Sequence, residues 1–281
     1  MRFLLSLMFV GGLAVGSPDA VNRAAVLYQH TDYQGALQML KSDQAPDAAT
    51  WTLIGKSQFM LGDYAHAGES FKRAVSLAPG NAESMLWLGR TWGRKAEKAS
   101  FMTAAMNASE ARKCFEKAVA IDPHYREALN DLFSYYLEAP SLLGGGTDKA
   151  EAIAQRTKPL NPAEYEYDEA QLALKKKDNA AAEKHLRRAL ELDPAEPGRV
   201  LDLARFLAKR GRLEESEALF ERADKMAPGK PAILFVRAQT YLETGRNPDE
   251  ARKLLQQYLR SSITPDDPPR QTAEKMLRSA G

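Results

Sequence analysis

Four histidines, one cysteine, a run of three glycines and a few adjacent carboxylates are the residues in this chain whose types could do chemistry. A histidine works as a base or a metal ligand when a partner lies at a fixed helical or turn spacing. His30, His66, His124 and His185 are tens of residues apart, and none falls in HExxH or a comparable pattern. They read as surface or turn residues. A reactive thiolate needs a base or a cationic environment. Cys114 has no His or second Cys at a useful spacing and sits between Lys113 and Phe115, so it reads as a half-buried small side chain on a helix. Gly144-Gly145-Gly146 ahead of Thr147 could offer bare amides to an anion at a helix start. A phosphate-cradling GxxxxGK[ST] would follow a strand and carry Lys before its Thr. This run follows a helical stretch and lacks that Lys, so it reads as a long turn between helices, with a small-ligand or anion site as the alternative. Glu214-Glu215 and Asp266-Asp267 fall at or just before helix starts, where carboxylates complement the helix dipole. No GxSxG elbow occurs. No catalytic residue, cofactor or metal is expected.

The elements that must position these residues announce themselves by repetition. From Pro197 to Lys230 the chain reads PGRVLDLARFLAKRGRLEESEALFERADKMAPGK. Ala204 recurs 34 residues on as Ala238, Gly211 as Gly245 and Ala189 as Ala223, while Pro194 returns as Pro228. A fixed period of this length marks stacked supersecondary units, none of which can bury its apolar face alone. Within each period, apolar residues at helical spacing are split by a Gly turn, restarted by an Asp-type cap and stopped by Pro. In the second unit Gly62 turns the chain, Asp63 caps the next helix and Pro79 ends it, while Gly55 and Ala67 are small where two helices must approach.

The order Trp51, Ile54-Gly55, Ala67, Phe71, Ala74, Pro79 resembles the tetratricopeptide repeat, W-x2-L-G-x2-Y…A-x3-F…A…P. Gln58 stands where the pattern has an aromatic; Trp92, Tyr136, Leu207 and Tyr241 fill that place in other copies. The resemblance covers about seven units over residues 17–261 and implies an all-α fold, a right-handed superhelix of helix-turn-helix units. A polar, Pro-rich linker and a closing helix over Gln271 to Ala280 follow, within residues 262–281. Two units are stretched. The third, residues 82–125, holds ten extra residues around Arg94 to Met106, a stretch without Gly or Pro that is expected to stay helical. Its Phe101, Met102 and Met106 are expected to pack on the neighbouring unit. The fourth carries the turn 138–147 and is expected to end at Pro162. That insertion is loosely similar to one found in exported bacterial proteins of this repeat class.

Charge and targeting bound the function. The formal net charge is +2 and charged residues of both signs make up 27%. Such a balance gives no long-range field toward nucleic acid or anionic membrane. Met1-Arg2, the apolar run from Phe3 and the small residues Ala14-Val15-Gly16 predict a signal peptide over residues 1–16. The run of 14 residues from Phe3 to Gly16 is shorter than the roughly 20 a membrane-spanning helix needs. Cleavage is therefore expected over retention as an anchor, which places the protein in the periplasm or outside the cell. With one Cys no internal disulfide can form, so stability rests on helix packing.

In the resembled family the first helix of each pair lines the concave face. Projected onto this chain, that face carries Lys56, Phe59, Trp87, Arg90, Arg94, Asn130, Ser134, Tyr167, Gln171, Lys175, Arg205, Lys209, Phe235 and Gln239. Aromatic and Arg side chains dominate peptide recognition, and the basic members suggest an extended or helical partner segment of acidic character. The family's carboxylate clamp is not reproduced, because Thr52, Lys56 and Trp87 occupy its positions. The expected function is a non-enzymatic, exported scaffold binding protein or peptide segments. The alternative is a structural subunit that assembles through its outer faces or the long third unit.

Overall fold

A computed structural model describes residues 18–279, apart from residues 42 and 44. The signal-peptide reading of residues 1–16 lies outside the described residues. The described residues form fifteen α-helices and one short 3-10 turn, with no strand. They pair into seven hairpins: α1 (Pro18–Gln29) with α2 (Tyr33–Leu40), α3 (Ala48–Met60) with α4 (Tyr64–Leu77), α5 (Ala82–Glu97) with α6 (Phe101–Ile121), and α7 (Arg126–Glu138) with α8 (Thr147–Thr157). Then come α9 (Pro162–Lys175) with α10 (Asn179–Leu192), α11 (Pro197–Lys209) with α12 (Leu213–Met226), and α13 (Pro231–Glu243) with α14 (Pro248–Arg260). Helix α15 (Arg270–Ser279) closes the array by laying Ala273 against α14.

Local chemistry sets the helix limits. Asp47, Asp63, Asn81, Asn161 and Asp178 each accept a hydrogen bond from an amide in the first turn of the helix they precede. Proline opens α9, α11, α13 and α14, where its missing N–H costs nothing. The turn between paired helices needs one left-handed residue. Gly62, Gly211 and Gly245 supply it, but at the equivalent place in the fifth hairpin Lys177 adopts φ 61°.

Inside each hairpin a small residue on the first helix faces a large one on the second. A Cβ on Gly55 would come within 2.7 Å of the Phe71 ring, and one on Gly89 within 2.7 Å of Phe115. Phe71, Ala74, Phe220, Ala223, Leu255 and Tyr258 are fully buried by this arrangement. Cys114 is buried rather than half-exposed, and burial pushes its thiol up to about 11. The segment after α14 is bound rather than loose: Ile263 is buried, and the Tyr258 hydroxyl donates to the Pro268 carbonyl.

Three local expectations are overturned. The stretch from Arg94 to Met106 does not stay helical throughout. The chain turns at Lys98–Ser100, because only a reversal lets Ala111, Phe115 and Ala118 return to the core against α5. Most of the surplus extends α6 to 21 residues. Phe101, Met102 and Met106, at the start of that extension, are 88%, 78% and 70% exposed and pack on no neighbour's core. Pro162 does not end the fourth unit. It is the first residue of α9, and α8 has already stopped at Thr157.

Candidate functional site

First helices lie against first helices: α1 on α3, α3 on α5, α7 on α9 and α11 on α13. That layer is the tight side of the stack, and every projected groove residue falls on it. Polar contacts stitch the layer together. The Thr52 and Ser84 hydroxyls are 2.7 Å apart, and both side chains are buried. Lys56 on α3 pairs with Glu83 on α5 at 2.9 Å. Arg90 on α5 pairs with Asp131 at 2.6 Å and Glu127 at 3.3 Å on α7. Lys175 on α9 reaches back to Glu138 on α7 at 3.2 Å, and Lys209 on α11 reaches Glu243 on α13 at 2.9 Å. Arg199 on α11 pairs with Glu164 on α9. Burial disfavours the charge on Arg90, yet Asp131 and Glu127 hold its pKa above the ordinary value.

This ladder changes what the basic residues can do. Lys56, Arg90, Lys175 and Lys209 bridge neighbouring units, and Arg94 bonds to Glu97 at 2.7 Å on its own helix. A strongly acidic partner would compete with carboxylates already in place. Among the basic candidates, Arg205 alone forms no ion pair with a described residue.

Most of the candidates fall in three places. Phe59 and Trp87 have ring centroids 5.2 Å apart, and Lys56 and Arg90 sit over the Trp87 ring at 5.3 and 4.8 Å. They form a packed aromatic and cationic cluster. Asn130 lines a cleft of about 400 Å³ between α7 and α9, together with His124, Thr157 and Asn161. Its Oδ1 is buried and meets no donor among the described residues. Tyr167, Gln171, Arg205 and Lys209 come together around a cleft of about 170 Å³ between α9 and α11. Burial lifts the Tyr167 phenol to about 12. Gln239 is half-buried on α13, and Ser134 is exposed on α7. Phe235 does not belong with the rest: it is 5% exposed and packs on Tyr258 of α14 at 5.2 Å, inside the core cluster that ends the array.

Asp202 and Phe206 also line the α9–α11 cleft and escaped the motif projection. Their signal was present. Asp202, Arg205, Phe206 and Lys209 stand at i, i+3, i+4 and i+7, which is one helical face.

The glycine amides of this turn are already engaged. The amides of Gly144, Gly145 and Gly146 donate to the carbonyls of Ser141, Pro140 and Tyr136. Gly146, not Thr147, occupies the cap position of α8, and no side chain caps that helix. Gly145 is required because a Cβ there would lie 1.9 Å from the Ala139 carbonyl oxygen. Among the described residues no group of three or more His, Cys, Asp or Glu could hold a metal ion, and no helix is long and apolar enough to cross a membrane.

The tetratricopeptide repeat family matches residues 48–81 and, separately, 173–225. These spans hold the second hairpin and most of the fifth and sixth. This is a tetratricopeptide repeat protein. Its fold is similar to that of a tetratricopeptide repeat protein from Parabacteroides merdae, at TM-score 0.61 and 14% identity, over 93% of this chain and 97% of that one. A thermophilic repeat protein of the same kind from Thermus thermophilus matches at TM-score 0.53 and 21% identity, over 71% of this chain and 98% of the other. The Cut9–Hcn1 hetero-tetramer of the APC/C matches at TM-score 0.51 and 15% identity, over 94% of this chain and 49% of that one. No curated protein matches this chain. At these identities the structural likenesses speak to fold. A tetratricopeptide repeat fold suggests a protein-interaction scaffold in general.

Proposed function

We propose that this repeat protein is an exported, non-enzymatic scaffold that holds a segment of a partner protein along its first-helix layer, centred on the α9–α11 cleft. The observation that carries this reading is the convergence of Tyr167, Gln171, Phe206 and Arg205 on that cleft, with Arg205 as the candidate cation outside the ion-pair ladder. The half-buried Tyr167 ring, backed by the buried Phe206, supplies apolar contact, Gln171 supplies amide hydrogen bonding, and Arg205 supplies a bidentate site for one carboxylate. The partner segment therefore needs one acidic side chain or terminus beside apolar residues, rather than an acidic run.

Export rests on the sequence of residues 1–16. Amino-terminal sequencing of the protein from the exported fraction tests it, with a new terminus at Ser17 expected. The groove is tested with a photo-crosslinking residue at Gln171 and, as a control, at Lys184 on the outward helix α10. A crosslinked partner specific to position 171, lost when Arg205→Glu is added, supports the reading. Identical crosslinks from both positions refute it.

A further inference from the structure

The near-neutral charge of the chain conceals a sorting that only the fold reveals. In an array of antiparallel hairpins, every turn inside a hairpin lies on one edge and every turn between hairpins on the other. From the third hairpin onward the inside turns carry Lys98, Lys176, Lys177, Arg210, Arg212 and Arg246 against Asp178 alone. The turns on the other edge carry Asp122, Asp193, Glu196, Asp266 and Asp267 against Lys158 and Lys230. Among the turn residues themselves one edge is mostly basic and the other mostly acidic, although Asp148, Glu214, Glu215, Asp249 and Glu250 open helices on the basic edge and Arg212 pairs with Glu183 and Glu215.

The basic edge also bears the most exposed apolar side chains among the described residues. Phe101 and Met102 project from the first turn of α6, and Met106 lies one turn on. Leu142, 91% exposed, stands at the turn of the next hairpin, which rests against α6 where Gly144 meets the Arg112 side chain. Lys95 and Lys98 flank this tip without ion pairs, held instead over the rings of Trp92 and Tyr64 at 4.4 and 4.6 Å. Ser100 makes no hydrogen bond to an amide of the α6 first turn, so the N–H groups there remain open at a positive helix end.

From this combination the geometry points to an anionic lipid surface as the partner of the basic tip, with Phe101 and Met102 entering the boundary between headgroups and acyl chains. The tip is convex, which suits a deformable lipid surface. The apolar side chains offer only a few hundred Å², short of the ~800 Å² per partner of a stable self-association. Lys95 and Lys98, which form no ion pair with a described residue, match anionic headgroups beside the tip, and apolar side chains among cations on one face are what interfacial binding requires. Held by this tip, the scaffold would present its first-helix layer beside the membrane.

The test uses the full chain and vesicles containing phosphatidylglycerol or phosphatidylcholine alone. Met102→Cys and, as a control on the opposite edge, Leu77→Cys are labelled with an environment-sensitive fluorophore; Cys114 is buried and stays unlabelled. Leu77 is 58% exposed, so both labels begin in water. A blue shift at position 102 with anionic vesicles only, absent at position 77 and reversed by salt, is the expected result. Phe101→Glu with Met102→Glu should weaken anionic-vesicle binding by at least about tenfold and leave the helical spectrum unchanged. Equal shifts at both positions would mean that residues 1–17 drive binding, and that overturns the proposal. So does an unshifted label at 102, or a tip that captures a purified protein but no vesicle.

Discussion

Asp168 gives the sharpest quantitative expectation. It lies on α9 at 2% exposure, and its Oδ2 meets no donor among the described residues. Burial raises its pKa from 3.8 to about 8, with Glu164 and Glu169 adding to the rise and Arg199 opposing it. Between those two values the folded chain holds a proton that the unfolded chain has released. Stability from this group is therefore greatest in acid and falls as pH rises, by about 1.4 kcal/mol per pH unit. From pH 5 to pH 8 the accumulated loss is about 4 kcal/mol. Asp168→Asn removes the titration and keeps the shape. Urea unfolding followed by circular dichroism at pH 5, 6, 7 and 8 reads the difference between variant and parent. The variant should gain on the parent with each unit, until it is the more stable protein by several kcal/mol at pH 8. Parallel stability curves across that range would refute the reasoning, since every other titrating group cancels in the comparison.

Two further outcomes follow from the backbone and the core. Lys177 holds the left-handed conformation that glycine supplies in three other hairpins, so Lys177→Gly should stabilise by roughly 1 kcal/mol, read as a raised urea midpoint. Gly55→Ala would drive a methyl against the Phe71 ring and should cost about 1–3 kcal/mol; adding Phe71→Leu should restore part of that loss, and thermal unfolding of the single and double variants checks it.

The hairpin limits were legible because each has a local cause. A capping Asp at 63, prolines at 79 and 228 and glycines at 62, 211 and 245 fix where helices start and stop whatever their neighbours do. The 34-residue period announced that identical faces must stack, and so it placed the groove candidates on first helices. What each candidate faces was not legible. Phe235 and Gln239 share a helix and were both projected onto the groove, yet one is buried against Tyr258 and the other is half-buried. The third unit misled because high helix propensity says nothing about where a chain must reverse to reach its core.

The sequence alone determined the repeat, the number of hairpins and the absence of a disulfide, since these depend on residue spacing and count. Tertiary structure decided the rest. It bound Lys56, Arg90, Lys175 and Lys209 into bridges between units, engaged the amides of the glycine turn, and left Phe101 and Met102 in water near Lys98. Charge pairing and exposure depend on distances between residues about 30 to 40 apart in the chain, and only the stacking of hairpins sets those distances.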